Sequence, residues 1–336
     1  MTDRLRDRGE QALLAAIRHL IPAAAGVRIG PGDDAAVLAP RSAALLLTTD
    51  AMVEGVHFHI RWLSPQALGR RAFEVSASDV AAMGGRVVAA VLAVAAPPTL
   101  PVRTLRALVA GARDGARVAG GALVGGNLAA ADVLSLTITV LGTAPSRPVT
   151  RAGGRAGDQL FVTGSLGGAA LGVRSLGGRS AMRGGASAER SWRHPRARLQ
   201  AGAVLARRGL ARAMIDLSDG LLLDAERLCA ASGVAARIDA DCLPLPRVLR
   251  TLAPDDARDL ALRGGEDYEL LFAVPRTRVA ALQAARSALG CPITRIGELC
   301  QGRGVTVVAA GKTLAAGGRR GYEHFRGSGA RSRARA

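Results

Sequence analysis

Acidic residues recur in this sequence at short turns, each beside glycine or a hydroxyl residue. Asp33 and Asp34 lie in Gly30-Pro31-Gly32-Asp33-Asp34-Ala35-Ala36, Asp50 follows Thr48-Thr49, and Asp79 follows Ser78. Asp216 and Asp219 lie in Ile215-Asp216-Leu217-Ser218-Asp219-Gly220, and Glu266-Asp267 in Gly264-Gly265-Glu266-Asp267-Tyr268-Glu269. Converging carboxylates repel one another unless cations sit between them. Mg²⁺ prefers oxygen ligands, keeps waters and bridges a few carboxylates to phosphate oxygens, so the pattern points to metal-assisted phosphate chemistry. Each motif alone has a plainer reading: Asp219 could N-cap the following helix, and Asp33-Asp34 could be a solvated turn. Five together are harder to explain that way.

Two other phosphate motifs fail on inspection. Gly30-x-Gly32-x-x-Ala35 has the dinucleotide-binding spacing, but two aspartates fill the place where a pyrophosphate must approach bare amides. Gly311-Lys312-Thr313 matches the end of a P-loop, yet the required first glycine falls at Thr306. Any nucleotide phosphate must be held here through carboxylates and metal.

The elements that would carry these groups follow from periodicity. Leu13, Leu14, Ile17, Leu20 and Ile21 have helical spacing and stop at Pro22. Ala44–Thr49 reads as a short buried strand ending in Asp50, and Ser64-Pro65 opens a helix running to about Met83. Val87–Ala96 and Leu134–Leu141 read as strands around a helix marked by Leu105, Leu108, Val109, Ala112 and Ala116. Pro145–Pro148 is the best candidate domain boundary. Beyond it, strands are predicted at Gln159–Thr163, Ala213–Leu217, Tyr268–Val274 and Val305–Ala309, with helices at Leu221–Ala230 and Thr277–Leu289. Gly177–Ser191 is rich in Gly, Arg and Ser and reads as a mobile loop. Interspersed strands and helices in both halves predict two α/β or α+β domains.

Composition narrows the class. At 336 residues, two domains with separate cores are expected. Apolar residues make up 49 % and mean hydropathy is +0.20, which excludes global disorder. The longest apolar run, Val87–Ala96, is too short for a spanning helix. Met1–Gln11 is charged and has no apolar signal region, so a cytoplasmic location is expected. Cys229, Cys242, Cys291 and Cys300 show no CxxC pairing and read as buried free thiols. The formal charge is +18, almost all from arginine, since Lys312 is the only lysine. Aromatic residues at 3 % leave no stacking platform for single-stranded nucleic acid. The charge concentrates only at Arg174–Arg198 and in the tail 326–336, so no specific nucleic-acid partner is expected. A polyanion-binding protein, the alternative of a different class, would bind with steep salt dependence and without Mg²⁺ or ATP.

The order of motifs is more specific than any one of them. The chain resembles the thiamine-monophosphate kinase family, within the superfamily of aminoimidazole ribonucleotide synthetase and selenophosphate synthetase. The matching segments are GDDAAVL (32–38), TTDAMVEGVHF (48–58), ASDVAAMGG (77–85), VGGN (124–127), VTRAGG (149–154), IDLSDGLLLD (215–224), GGEDYELLF (264–272), IGE (296–298) and GYEHF (321–325). The resemblance implies an N-terminal domain (1–146) that dimerises and holds metal and ATP. It implies a C-terminal α/β domain (147–325), here followed by an Arg-rich tail. It further implies direct transfer of the ATP γ-phosphoryl to thiamine monophosphate, yielding thiamine diphosphate. By motif position, Asp34, Thr48, Thr49, Asp50, Asp79, Asp216 and Asp219 would bind Mg²⁺. Gly126, Arg151 and Ser218 would contact ATP, and His57, Glu266 and Tyr322 would contact thiamine monophosphate. Asp34, Asp216, Asp219 and Arg151 would serve the transfer itself. One departure stands out: Asn127 occupies a position where the family commonly has a metal-binding aspartate. Asn127 keeps one oxygen for metal or nucleotide but removes a charge, which predicts a weaker Mg²⁺ site. Another ATP-dependent enzyme of the superfamily is the second reading; a hydrogenase-maturation role is disfavoured because no C-terminal cysteine follows GYEHF.

Overall fold

Period-two burial organises the first half of the chain in this computed structural model, which describes residues 27–29, 36–38, 44–144, 147–178, 185–314 and 321–322. Strands β1 (Val27–Ile29), β2 (Ala36–Leu38) and β3 (Ala44–Val53) precede helix α1 (Pro65–Ala82), β4 (Arg86–Ala96), α2 (Val102–Val118), β5 (Ala122–Ala130) and β6 (Ser135–Ala144). They form one six-stranded sheet in the order β1-β2-β3-β6-β4-β5, with only β4 and β5 parallel. Leu46, Met52, Leu136, Ile138 and Val140 point from the sheet into the core beneath α1 and α2. The opposite face leaves Leu47, Val88 and Val91 exposed. Helix α1 starts sharply because Ser64 Oγ accepts the Ala67 N–H and Pro65 sits in the first turn. Gly69 and Gly111 let α1 and α2 touch: a Cβ on either would lie 1.9 Å from a backbone oxygen of the other helix.

The second half contains β7 (Gln159–Thr163), α3 (Gly168–Gly177), α4 (Gly185–Arg193), α5 (Leu199–Arg207), β8 (Ala213–Asp216) and α6 (Leu221–Ser232). It continues with β9 (Ala235–Asp239), α7 (Pro254–Arg263), β10 (Leu270–Val274), α8 (Val279–Ala284), β11 (Ile293–Cys300), β12 (Gly304–Ala309) and β13 (Lys312–Thr313). Its seven-stranded sheet runs β13-β12-β9-β11-β7-β10-β8, with β9 and β12 parallel. Strands β7 and β10 are buried throughout, as expected for central strands covered on both faces. Helix α1 joins the halves. Its Ala81 and Ala82 pack in one core with Phe161, Leu205, Met214 and Phe272, and Gly202 of α5 brings the two helices together where a Cβ would meet Ala81 O at 2.0 Å.

Several expectations are corrected. The last part of the supposed mobile loop, residues 185–191, belongs to α4, because Ala188 and Trp192, four residues apart, bury one helical face despite the Gly/Arg/Ser composition. Strand β3 continues past Asp50 to Val53, so Asp50 lies within a strand. The helix expected over Thr277–Leu289 is α8 flanked by two 3₁₀ turns. Of the four thiols only Cys229 is buried; Cys242 is exposed and Cys291 and Cys300 are intermediate. The helix expected around Leu13–Ile21, Asp33, Asp34 and the tail 326–336 lie outside the described residues.

Candidate active site

Two sets of carboxylates face each other across helix α1. From the first sheet, Thr48 donates its hydroxyl to Asp79 Oδ2 on α1. Asp50, two residues along β3 and so on the same face, lies beside Ser76 of α1. From the second sheet, Asp216 ends β8, almost wholly buried, beside Ser78 of α1. The hydroxyl-rich stretch Ser76–Asp79 therefore serves both sides.

Electrostatics within this cluster favour a cation. Burial, then the charge of Asp219, raises the Asp50 carboxyl above its usual range, against the opposing pull of Ser76. Asp216 is likewise raised, first by burial and also by Asp50 and Asp219, with Ser78 and Arg151 opposing. Asp219 is held by Arg227 Nη1 at 2.6 Å, and the same nitrogen reaches Asp224 Oδ1 at 2.7 Å. Asp224 is the residue that satisfies the start of α6: its Oδ2 accepts the N–H groups of Asp219 (3.0 Å) and Gly220 (3.1 Å). The plainer reading of Asp219 as a cap is thus wrong, and its carboxylate pairs with Arg227 instead. Burial and the neighbouring Asp219 push the Asp224 carboxyl up to about 8.

The Gly264–Glu269 loop packs on the Asp216–Asp219 turn. Glu266 N–H donates to Ser218 O at 2.7 Å, Tyr268 N–H to Leu217 O at 2.9 Å and Leu217 N–H to Glu269 O at 2.8 Å. Between these bonds Glu266 (φ 74°) and Tyr268 (φ 50°) adopt left-handed backbone that non-glycine residues rarely take. This strain is why β10 starts only at Leu270. The Glu266 side chain pairs with Arg71, a fully buried residue of α1 whose guanidinium lies 4.3 Å from the Trp192 ring centroid. Burial pushes the Arg71 guanidinium down to about 10. Arg71 also donates to Trp192 O. Tyr322 N–H donates to Asp219 O at 3.0 Å, placing the half-exposed tyrosine beside the same turn. His57 closes a turn in which its Nδ1 accepts the Val53 N–H at 3.0 Å, leaving the proton on Nε2.

Other candidate residues stand apart. The Thr49 side chain points to the opposite sheet face and bonds Thr139 Oγ1 at 2.9 Å. Gly126 pairs with Leu92, Leu92 with Ile138 and Ile138 with Asp50, so Gly126 lies three strands, roughly 14 Å, across the sheet from Asp50. Asn127 is beside it on exposed edge strand β5. A Cβ at Gly126 would lie 1.8 Å from Leu92 O, which fixes glycine there. Asp267 turns away: its Oδ2 accepts the Gly167 N–H at 2.7 Å at the start of α3, and burial raises its carboxyl to about 8. Glu269 is buried in a fork with Arg198 and bonds Thr163 Oγ1 at 2.6 Å. Sequence reading missed Arg71, Ser76, Asp224 and Arg227. Arg71 is seven residues before Ser78, on the same helical face, and that spacing was the available signal.

Among the described residues, no three His, Cys, Asp or Glu side chains are grouped closely enough to hold a metal ion. The donors that do converge are hard oxygens, raised in proton affinity by burial and mutual charge, which suits Mg²⁺ completed by phosphate oxygens and water.

Comparison with known proteins follows the same outline. Residues 32–144 match the family described as AIR synthase related protein, N-terminal domain, and residues 155–310 its C-terminal domain. A curated thiamine-monophosphate kinase of Escherichia coli K12 is 35 % identical over 306 residues, covering 89 % of this chain and 92 % of that protein. The protein of that name from Mycobacterium tuberculosis H37Rv is 37 % identical over 256 residues, covering 74 % and 75 %. The chain belongs to the thiamine-monophosphate kinase family. Among solved structures of the family, AaThiL complexed with AMPPCP and TMP has a TM-score of 0.83 at 31 % identity, covering 97 % of this chain and 100 % of that one. Thiamine-monophosphate kinase from Stenotrophomonas maltophilia K279a has a TM-score of 0.74 at 35 % identity, covering 90 % and 96 %. Escherichia coli HypE, a hydrogenase maturation protein, shares the fold at 23 % identity and a TM-score of 0.68, covering 80 % and 84 %. No helix among the described residues is long and apolar enough to cross a membrane.

Proposed function

We propose that this protein transfers the γ-phosphoryl group of ATP to the phosphate of thiamine monophosphate, releasing ADP and thiamine diphosphate. The observation that carries the reading is the full-length likeness to the kinase solved with AMPPCP and TMP, matched by carboxylates from both sheets meeting at α1. A phosphate oxygen of thiamine monophosphate forms the new bond to the γ-phosphorus as the bond from that phosphorus to the bridging β,γ oxygen breaks. The acceptor is already an anion, so no strong base is required, and the main barrier is crowding of negative charge.

Thr48, Asp50, Asp79, Asp216 and Asp219 are proposed to hold Mg²⁺, together with Asp34 and the Thr49 main chain, while Asn127, roughly 14 Å across the sheet, is proposed to serve a separate ion. When bound, Mg²⁺ would neutralise charge on the transferring phosphates. Arg151, whose charge acts on Asp216, supplies a fixed cation for ATP together with Ser218, and Gly126 is assigned to ATP from across the first sheet. Glu266, Tyr322 and His57 are assigned to thiamine monophosphate. The exposed Tyr322 ring suits a cationic thiazolium, and the Arg71 pair orients Glu266. The open face of the first sheet, with Leu47, Val88 and Val91 exposed, supports association into a homodimer, and the location is proposed to be cytoplasmic. The test is chromatography of products from ATP and Mg²⁺ with thiamine monophosphate or free thiamine as acceptor. Thiamine diphosphate equal to ADP from the monophosphate alone supports the assignment; product from thiamine, or ATP hydrolysis without transfer, overturns it.

A further inference from the structure

A cleft of about 770 Å³ opens between the two halves beside the first turns of α1. Arg70 and Glu74 line it, and Arg70 lies about 180° around the helix from Asp79. Five arginines line the cleft: Arg70, Arg86, Arg196, Arg198 and Arg207. Arg70 is neutralised by Glu74 and Arg198 by Glu269. Arg86, Arg196 and Arg207 form no ion pair among the described residues, and Glu74 is the only acid in the lining. His194, nearby, is pushed below its usual range by burial and then by Arg190, Arg193, Arg70 and Arg196. Its environment is therefore cationic well beyond one side chain. Val87, Leu199 and Leu289 give the same cleft an apolar wall.

We propose that this cleft is a second, non-catalytic binding site for a small organic diphosphate. Arg86, Arg196 and Arg207 grip the diphosphate oxygens, and the apolar wall takes the organic part. Guanidinium forks match phosphate oxygens in pairs, and the cleft has the size of small-ligand sites. Arg86 begins β4 in the first half, whereas Arg196 precedes α5 and Arg207 ends it in the second. A bound diphosphate therefore ties the two halves together, independently of the chemistry at Asp50 and Asp216.

The experiment is calorimetric titration of the full chain with three probes: inorganic pyrophosphate, ADP and thiamine diphosphate. Each is run with and without saturating AMPPCP, thiamine monophosphate and Mg²⁺ to fill the proposed active site. The comparison protein carries Arg86→Gln, Arg196→Gln and Arg207→Gln, all at side chains outside the core. The wild type is expected to bind one diphosphate with the active site filled. The triple variant is expected to lose roughly tenfold or more in affinity per arginine while its turnover is kept. In the wild type pyrophosphate is expected to bind more weakly than thiamine diphosphate or ADP, because only the organic probes use the apolar wall; a triple variant that keeps its pyrophosphate affinity while losing the organic probes overturns the proposal, because the arginines then do not hold the diphosphate. Unchanged affinity in the triple variant, or absence of binding with the active site filled, overturns the proposal. If the chain fails to bind AMPPCP, the kinase reading falls, while the wild-type and triple-variant comparison still reads the cleft.

Discussion

Replacing Arg71 with methionine removes the cation that Glu266 meets while keeping most of the side chain's bulk. The guanidinium is fully buried, stacks 4.3 Å from the Trp192 ring centroid and pairs with Glu266. Breaking a buried ion pair from one side costs about 3–5 kcal/mol. The Glu266 side chain is 29 % exposed and regains some water, so the lower end, about 3 kcal/mol, applies. The loop around Glu266 is held at φ 74° and loses its anchor to α1, so the KM for thiamine monophosphate rises by roughly tenfold, about 1.4 kcal/mol. The KM for ATP stays within twofold, because Ser218 and Arg151 are untouched. Urea unfolding and steady-state kinetics read the two effects. Arg71→Lys keeps the charge but not the planar fork, and falls between wild type and Arg71→Met. In Arg71→Met/Glu266→Gln the stability loss shrinks, because no carboxylate is stranded. Unfolding at the wild-type urea concentration with an unchanged KM for thiamine monophosphate would refute the reasoning.

Asp267 gives a pH signature. Its native carboxyl holds a proton up to about pH 8, whereas the unfolded chain releases it near the ordinary value of about 4. The stability it contributes is therefore present below about pH 4 and lost as pH rises to about 8. Asp267→Asn, which is never charged, should show a shallower fall in urea midpoint between pH 5 and 8; identical slopes contradict the assignment. Asn127→Asp should lower the Mg²⁺ concentration needed for half-maximal rate, and an equal requirement in both proteins removes Asn127 from the metal argument. Gly126→Ala forces a Cβ against Leu92 O, so edge strand β5 must shift, costing about 1–3 kcal/mol and raising the KM for ATP; unaltered melting and KM would show that the strand gives way freely.

The sequence carried the positions of Asp50, Asp79, Asp216 and Asp219 because each lies in, or just after, a strand or helix with clear periodicity. It did not carry which acids work and which are structural. Asp267 and Glu266 are adjacent, yet one caps α3 and the other meets Arg71, because the left-handed backbone at Glu266 turns them apart. Asp224 drew no separate reading in the sequence, and only the fold shows it, rather than Asp219, taking the cap. Helix α4 was hidden by composition, since its buried Ala188 and Trp192 lie among Arg, Ser and Gly. Edge strand β5 was missed because Gly125-Gly126 reads locally as a turn. The pairing of Gly126 with Leu92 depends on a parallel crossover through α2, which no local pattern encodes.

The central claim is metal-dependent transfer of the γ-phosphoryl to a phosphate acceptor at the α1 carboxylates. The most direct measurement follows label from γ-³²P-ATP as free Mg²⁺ is removed with EDTA and restored, in wild type and Asp216→Asn. The account predicts label in the terminal phosphate of thiamine diphosphate, loss of transfer on chelation, recovery on adding Mg²⁺, and a much higher Mg²⁺ requirement in the variant. Label found in inorganic phosphate or on the protein, transfer that survives chelation, or an unaltered variant would contradict it.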